Sequence, residues 1–133
     1  MDGLRLDHLH KTFGDTVALS GVTFEVNSGE IVAVLGPSGC GKSTLLALIA
    51  GLEEPDRGEI YWNDIPLAGV RPHKRGFGLM FQDFALFPHR DVFGNVAFGL
   101  EMMHTPKDEI SRRVAETLQL VGLPDFSKLD LGI

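Results

Sequence analysis

Along this chain the apolar and polar positions change period several times, and each change marks an element. Leu4-Arg5-Leu6-Asp7-His8-Leu9 alternates as a half-buried strand does. A turn follows at Phe13-Gly14-Asp15. Ala18 to Val26 then carries Val22, Phe24 and Val26 on one face, which predicts a second, antiparallel strand. Asn27-Ser28-Gly29 is a turn signal. The run Ile31-Val32-Ala33-Val34-Leu35 differs in kind: it is short and wholly apolar, the pattern of a parallel-sheet strand buried on both faces. Lys42 to Ala50 reads as a helix closed by Gly51. After a turn at Pro55 to Gly58, Glu59 to Trp62 predicts a short strand. The stretch from Ile65 to Arg75, punctuated by Pro66, Gly69 and Pro72, predicts a loop. Gly76 to Phe81 reads as one more strand, ending at Gln82.

From Asp91 the pattern is helical through Met103. Thr105 as N-cap, Pro106 at N1 and Asp108 at N3 then open a second helix. Its stripe of Ile110, Val114, Leu118 and Val121 is one-sided, and Gly122 ends it. No internal repeat or low-complexity linker interrupts this order. The fold class is α/β with an antiparallel N-terminal β portion.

Bulk properties narrow the chemistry. At 133 residues the chain is one domain's worth of sequence at most. A formal charge of −6 argues against a general nucleic-acid surface, since phosphate backbones are bound by excess Lys and Arg; no nucleic-acid partner is expected. One cysteine forms no internal disulfide and fits a reducing compartment. The N-terminus lacks the apolar core of a signal peptide, and the apolar stretch from Leu45 to Leu52 is too short to span a bilayer. The expectation is a soluble, cytoplasmic chain whose membrane role, if it has one, comes through a partner. Arg71, Lys74 and Arg75 read as a solvated basic loop, and the five histidines lack metal-ligand spacing.

Gly36-Pro37-Ser38-Gly39-Cys40-Gly41-Lys42-Ser43 fits G-x-x-x-x-G-K-[ST] and runs on into Thr44. Glycines let the backbone take positive φ and approach phosphates without a Cβ in the way. Successive amides form an anion nest to which the following helix adds its dipole. Lys42 places a cation on the terminal phosphates, and the Ser43 hydroxyl is a candidate Mg²⁺ ligand. The competing reading, a glycine-rich turn that happens to contain Lys-Ser, fails to account for the predicted strand before it and helix after it. Cys40, inside the loop, is a small residue there. A sharper alternative makes it a thiol whose modification blocks nucleotide.

A phosphate loop alone does not choose among kinases, GTPases and transport ATPases. Phe13 upstream, Gln82 at the end of a predicted strand, and the segment FQDFALFPHRDVFGNVAFGL from Phe81 to Leu100 add discrimination. Together they resemble the nucleotide-binding subunit of ABC transporters, from about Leu4 to Phe126. The resemblance implies a P-loop NTPase-type parallel sheet core with an N-terminal antiparallel β subdomain, incomplete at the C-terminus. Residues 1–133 would then be the N-terminal portion of a nucleotide-binding domain. It implies ATP and Mg²⁺ as ligands, with Phe13 stacking on adenine and Gln82 reaching Mg²⁺ and the attacking water. It also implies transmembrane permease partners docking on Gln82 to Leu100, a second nucleotide-binding subunit as dimer partner, and a peripheral place on the inner face of the membrane. Leu86-Phe87-Pro88-His89 with Asn95 to Leu100 looks like the importer branch for sugars, polyamines, sulfate or iron. Phe84, Phe87, Phe93 and Phe98 fit either a core or an exposed docking groove.

The family's remaining machinery does not occur in this sequence. No run of four apolar residues precedes Asp-Glu, there is no LSGGQ, and no switch histidine follows. Phosphoryl transfer is mostly positioning and electrostatics. Lys42, Ser43 and Gln82 alone are therefore expected to hold nucleotide without efficient hydrolysis, so whether this chain is itself an enzyme stays open. Apolar surface beside Ile31 to Leu35 is expected to lie open, which favours aggregation or partial disorder. Other readings remain: a non-hydrolysing binding or docking module, a P-loop kinase or GTPase (without the Asn-Lys-x-Asp guanine motif), and a DNA-repair ATPase disfavoured by acidity.

Overall fold

The computed structural model describes residues 1–83 and 85–128. Phe84 and residues 129–133, which include part of the closing segment, lie outside the described residues. The chain divides into two compact units, Met1–Met80 and Phe81–Ile133.

The first unit is a four-stranded antiparallel sheet with one helix packed on it. β1 (Gly3–Phe13) and β2 (Thr16–Asn27) form a long hairpin, and β3 (Arg57–Trp62) pairs with the other edge of β1. A two-residue strand, β4 (Ile65–Pro66), completes the order β2-β1-β3-β4. Leu6 and Leu9 on β1 are both fully buried, although strict alternation would put them on opposite faces. A bulge between them, with His8 at φ 50°, restores Leu9 to the core face. The helix α1 (Lys42–Ala50) lays Leu45 and Leu48 against Leu6, Leu9, Leu19, Ile60 and Leu67. Its bounds and its closing Gly51, at φ 86°, are those the sequence predicted.

Two predicted strands are not strands. Ile31 to Leu35 and Gly76 to Phe81 carry no ladder pairing among the described residues. Ile31 is 99% exposed and Leu35 89%. A strand buried on both faces is a property of a pair of strands and two covering layers, and no described residue supplies either here. The sheet that does form is therefore the antiparallel N-terminal portion. The predicted loop from Ile65 to Arg75 contains β4 and a short 3₁₀ turn at Pro72–Lys74.

The second unit has two helices, α2 (Val92–Met102) and α3 (Lys107–Leu120). Asp91 caps α2 by accepting from the Gly94 amide at 2.7 Å. Ala97 packs with Ile110, Val114 and Leu118 in a small core flanked by Val92, Phe93, Val96 and Leu100. Two details of α3 differ from the sequence reading. Pro106, at φ −57° and ψ 144°, holds the N-cap place itself, so Thr105 lies one residue outside the helix and caps nothing. Val121 is the C-cap residue and 61% exposed, so the apolar stripe ends at Leu118.

Candidate phosphate-binding site

Residues 36–44 are brought together as one cradle at the start of α1. Gly39 (φ 82°) and Gly41 (φ 96°) take left-handed backbone, the alternation from which an anion nest is built. Among the described residues the amides of Gly39, Gly41, Lys42, Ser43 and Thr44 meet no protein acceptor. The Leu45 amide donates to the Gly41 carbonyl at 2.9 Å and the helix proper begins there. No side chain caps α1 at its N-terminus and no acidic residue stands in its first turn. Five donors and the positive end of the helix dipole thus share the head of α1, and no acceptor among the described residues satisfies them.

Close approach explains two of the glycines. A Cβ on Gly36 would come within 2.7 Å of Cys40 Sγ. One on Gly41 would overlap the Ala18 carbonyl oxygen of β2, 3.3 Å from its carbon and 3.1 Å from Leu19 Cδ2. The loop is therefore seated directly on the hairpin. Lys42 folds back over the loop, with Nζ donating to the Gly36 carbonyl and, at 3.0 Å, to the Pro37 carbonyl. Its cation stands over the mouth of the cradle. Ser43 is exposed, as are Pro37, Ser38 and Cys40, and Thr44 is half-buried. This donor set, with no room for a Cβ beneath it, fits a phosphate chain. The exposed Ser43 hydroxyl fits a divalent cation beside that chain.

Phe13 ends β1, pairs with Thr16 and is 45% exposed. Thr16 lies two residues before Ala18, about 7 Å along β2, so the seat of the loop and the aromatic share one end of the hairpin. Lys11 Nζ stands 5.2 Å from the Phe13 ring centroid. Gln82 belongs to the second unit, where it sits exposed in a turn and not at a strand end.

In the same unit the LFPH segment is locked to the first turn of α2 by Asn95. Its Oδ1 accepts from the Phe87 amide at 2.8 Å, and its Nδ2 donates to the carbonyls of Phe87 (3.1 Å), Arg90 (3.3 Å) and Asp91 (2.9 Å). Phe87 and Phe98 pack as a tilted pair, with centroids 4.6 Å apart and planes at 48°. Arg90 lies over both rings and pairs with Glu101 at 2.8 Å. Leu86, Pro88 and His89 stay exposed, and Phe93 packs against the small α2–α3 core.

Two residues escaped the sequence reading. Asn95 stands in the sequence only as part of a motif, yet an Asn one turn after a capping Asp is a local signal for such a clamp. The sequence places Arg75 in a solvated loop; the structure does not. It is half-buried, and its guanidinium donates to Val70, Leu48, Ile49 and Leu67 carbonyls. Burial pulls its pKa below the ordinary arginine value.

The family model described as ABC transporter matches residues 19–132. The chain belongs to the ABC transporter family. Similar relatives include the spermidine/putrescine import ATP-binding protein PotA of Bacteroides thetaiotaomicron, 45% identical over 128 residues. That alignment covers 96% of this chain and 28% of the relative. PotA of Rubrobacter xylanophilus is 48% identical over 125 residues, covering 94% of this chain and 33% of the relative. The chain thus spans about a third or less of the length of these curated relatives. Among solved structures, cbiO1 from Clostridium perfringens, part of the ABC transporter complex cbiONQ, superposes with a TM-score of 0.81 at 33% identity, covering 97% of this chain and 54% of that one. The ATP-binding cassette MJ0796, in a dimeric post-hydrolysis state bound to ADP and Pi, gives 0.83 at 29% identity, covering 96% and 61%. As an ABC transporter chain the protein is mixed α/β, and among the described residues no helix is long and apolar enough to cross a membrane.

Proposed function

We propose that this chain is the N-terminal portion of an ABC-transporter nucleotide-binding domain and holds Mg²⁺·ATP for solute import. The observation that carries the reading is the set of five amides without a described acceptor at the α1 N-terminus, seated on the hairpin through Gly41. In this reading Gly36, Pro37, Ser38, Gly39, Cys40, Gly41, Lys42, Ser43 and Thr44 wrap the phosphates. The amides neutralise the phosphate oxygens, Lys42 turns its ammonium from the loop carbonyls to the β/γ oxygens, and the Ser43 hydroxyl ligates Mg²⁺. Phe13 offers a π-face to adenine. Gln82 completes the metal and water site in the assembled domain.

The Gln82 to Leu100 segment, preorganised by Asn95, receives the permease, and a second nucleotide-binding subunit pairs with the whole domain. The complex then sits peripherally on the inner face of the membrane. The names of the two PotA relatives support polyamines as the solute class of the whole protein.

This stretch on its own binds without efficient turnover, because the sequence holds no apolar run followed by Asp-Glu to supply the metal carboxylate and base. Titration with a fluorescent ATP analogue tests the reading. Saturable binding competed by unlabelled ATP and weakened at least tenfold by Lys42→Ala is expected. Binding indifferent to Lys42, or phosphate release above background by the chain alone, would count against it.

A further inference from the structure

The far end of α1 is held by a residue the phosphate site does not itself contain. The helix is nine residues, about 14 Å long, so its C-terminus lies one short rigid rod away from the loop. Its last turn carries no basic residue of its own. The Gly51 and Leu52 amides satisfy the Leu48 and Ala47 carbonyls at 3.2 and 2.9 Å. The remaining negative end of the dipole is met by Arg75, whose Nη1 donates to the Leu48 and Ile49 carbonyls, both at 3.1 Å.

The other arms of the same guanidinium reach a different element. Nε donates to the Val70 carbonyl at 2.8 Å and Nη2 to the Leu67 carbonyl at 3.0 Å. Leu67 is a buried core residue whose own amide donates to Ile60 in β3 at 2.9 Å. One planar fork therefore joins the C-terminus of α1 to the edge of the sheet. Gly51 makes room for it: a Cβ there would come within 2.6 Å of Arg75 Nε. A lysine has one point of attachment and cannot span these four acceptors in the same way.

We propose that Arg75 is a positioning residue for the phosphate loop, fixing α1 along its axis so that the amides at its opposite end keep their place. The proposal rests on the nucleotide-binding reading of that loop. It places Arg75 beside the cradle functionally while keeping it out of contact with the nucleotide.

Arg75→Gln and Arg75→Lys in the full chain test it, with affinity for a fluorescent ATP analogue and amide hydrogen exchange as the two readouts. Arg75→Gln is expected to bind about tenfold more weakly, the scale of losing charge-assisted bonds. Exchange of the Lys42–Ala50 amides should accelerate while β1 and β2 keep their protection. Arg75→Lys, which keeps the charge, should fold at least as well and still lose severalfold in affinity. Unchanged affinity with unchanged α1 exchange overturns the proposal. So does a uniform rise in exchange across helix and sheet with affinity of the folded molecules preserved, since that is a purely structural role. Should the unaltered chain bind no analogue, the nucleotide reading itself fails. The exchange comparison then still decides whether Arg75 selectively holds α1.

Discussion

Replacing Gly41 with alanine separates the two reasons for a glycine at that place. Gly39 and Gly41 both have positive φ, so Gly39→Ala and Gly41→Ala share a left-handed penalty of about 1–2 kcal/mol. Beyond that they differ. A Cβ on Gly39 meets nothing within 4 Å, whereas one on Gly41 overlaps the Ala18 carbonyl oxygen and presses on Leu19 Cδ2 at 3.1 Å. The obstacle is mainly backbone of β2, at a bulge whose neighbours Val17 and Leu19 are both paired to β1, so it yields little. Relieving the overlap needs roughly 1 Å of loop displacement or bond-angle distortion, on the order of 2–4 kcal/mol. The loop can lift from the hairpin instead, but then its amides lose their place. Gly41→Ala is therefore expected to weaken nucleotide-analogue binding at least thirtyfold more than Gly39→Ala. Fluorescence titration of both variants, with circular dichroism to confirm retained sheet content, makes the comparison. Equal losses for the two variants would refute the seating of the loop on Ala18.

Three further outcomes follow from the structure. Leu48→Ala removes a fully buried side chain that joins α1 to the sheet, and urea unfolding followed by the fluorescence of Trp62 should show a loss of about 2–5 kcal/mol. Asn95→Ala strips four bonds from the LFPH segment, so the Phe87 amide should lose its protection from exchange while the α3 amides keep theirs. Glu30 is held below its ordinary pKa by hydrogen bonds from the Asn27 side chain and amide, and burial opposes this only weakly. A depressed carboxylate stabilises the folded state above its unfolded value, about pH 4.3, and that contribution disappears as pH falls through the lowered folded value. A pH series of urea unfolding should therefore flatten slightly on its acid side in Glu30→Gln, and an unaltered slope would contradict the assignment.

What could be read from the sequence was local. The β1–β2 hairpin, β3 and α1 rest on alternation, on a helical run and on glycines at turns, all signals contained within a dozen residues. The phosphate loop belongs to the same class, since one stretch supplies both its donors and its shape. Ile31 to Leu35 misled for the opposite reason: its apolar run is complete, but strand formation needs pairing partners that lie elsewhere in a chain. Arg75 was illegible because its four acceptors are scattered between Leu48 and Val70, and nothing near Arg75 marks it as a helix cap. The α3 start moved by one residue because Pro106 satisfies the N-cap geometry with extended ψ, a choice that its fixed φ allows equally with N1.

In the proposed function the five amides at the head of α1 are a phosphate receptor. Amide proton–nitrogen correlation spectra of the labelled chain, recorded as Mg²⁺·ATP is added, report on each of them separately. Large, saturating downfield shifts are expected for Gly39, Gly41, Lys42, Ser43 and Thr44, together with ring-current shifts at Phe13. Saturating shifts confined to other residues, or none at these five at millimolar ATP, would contradict it.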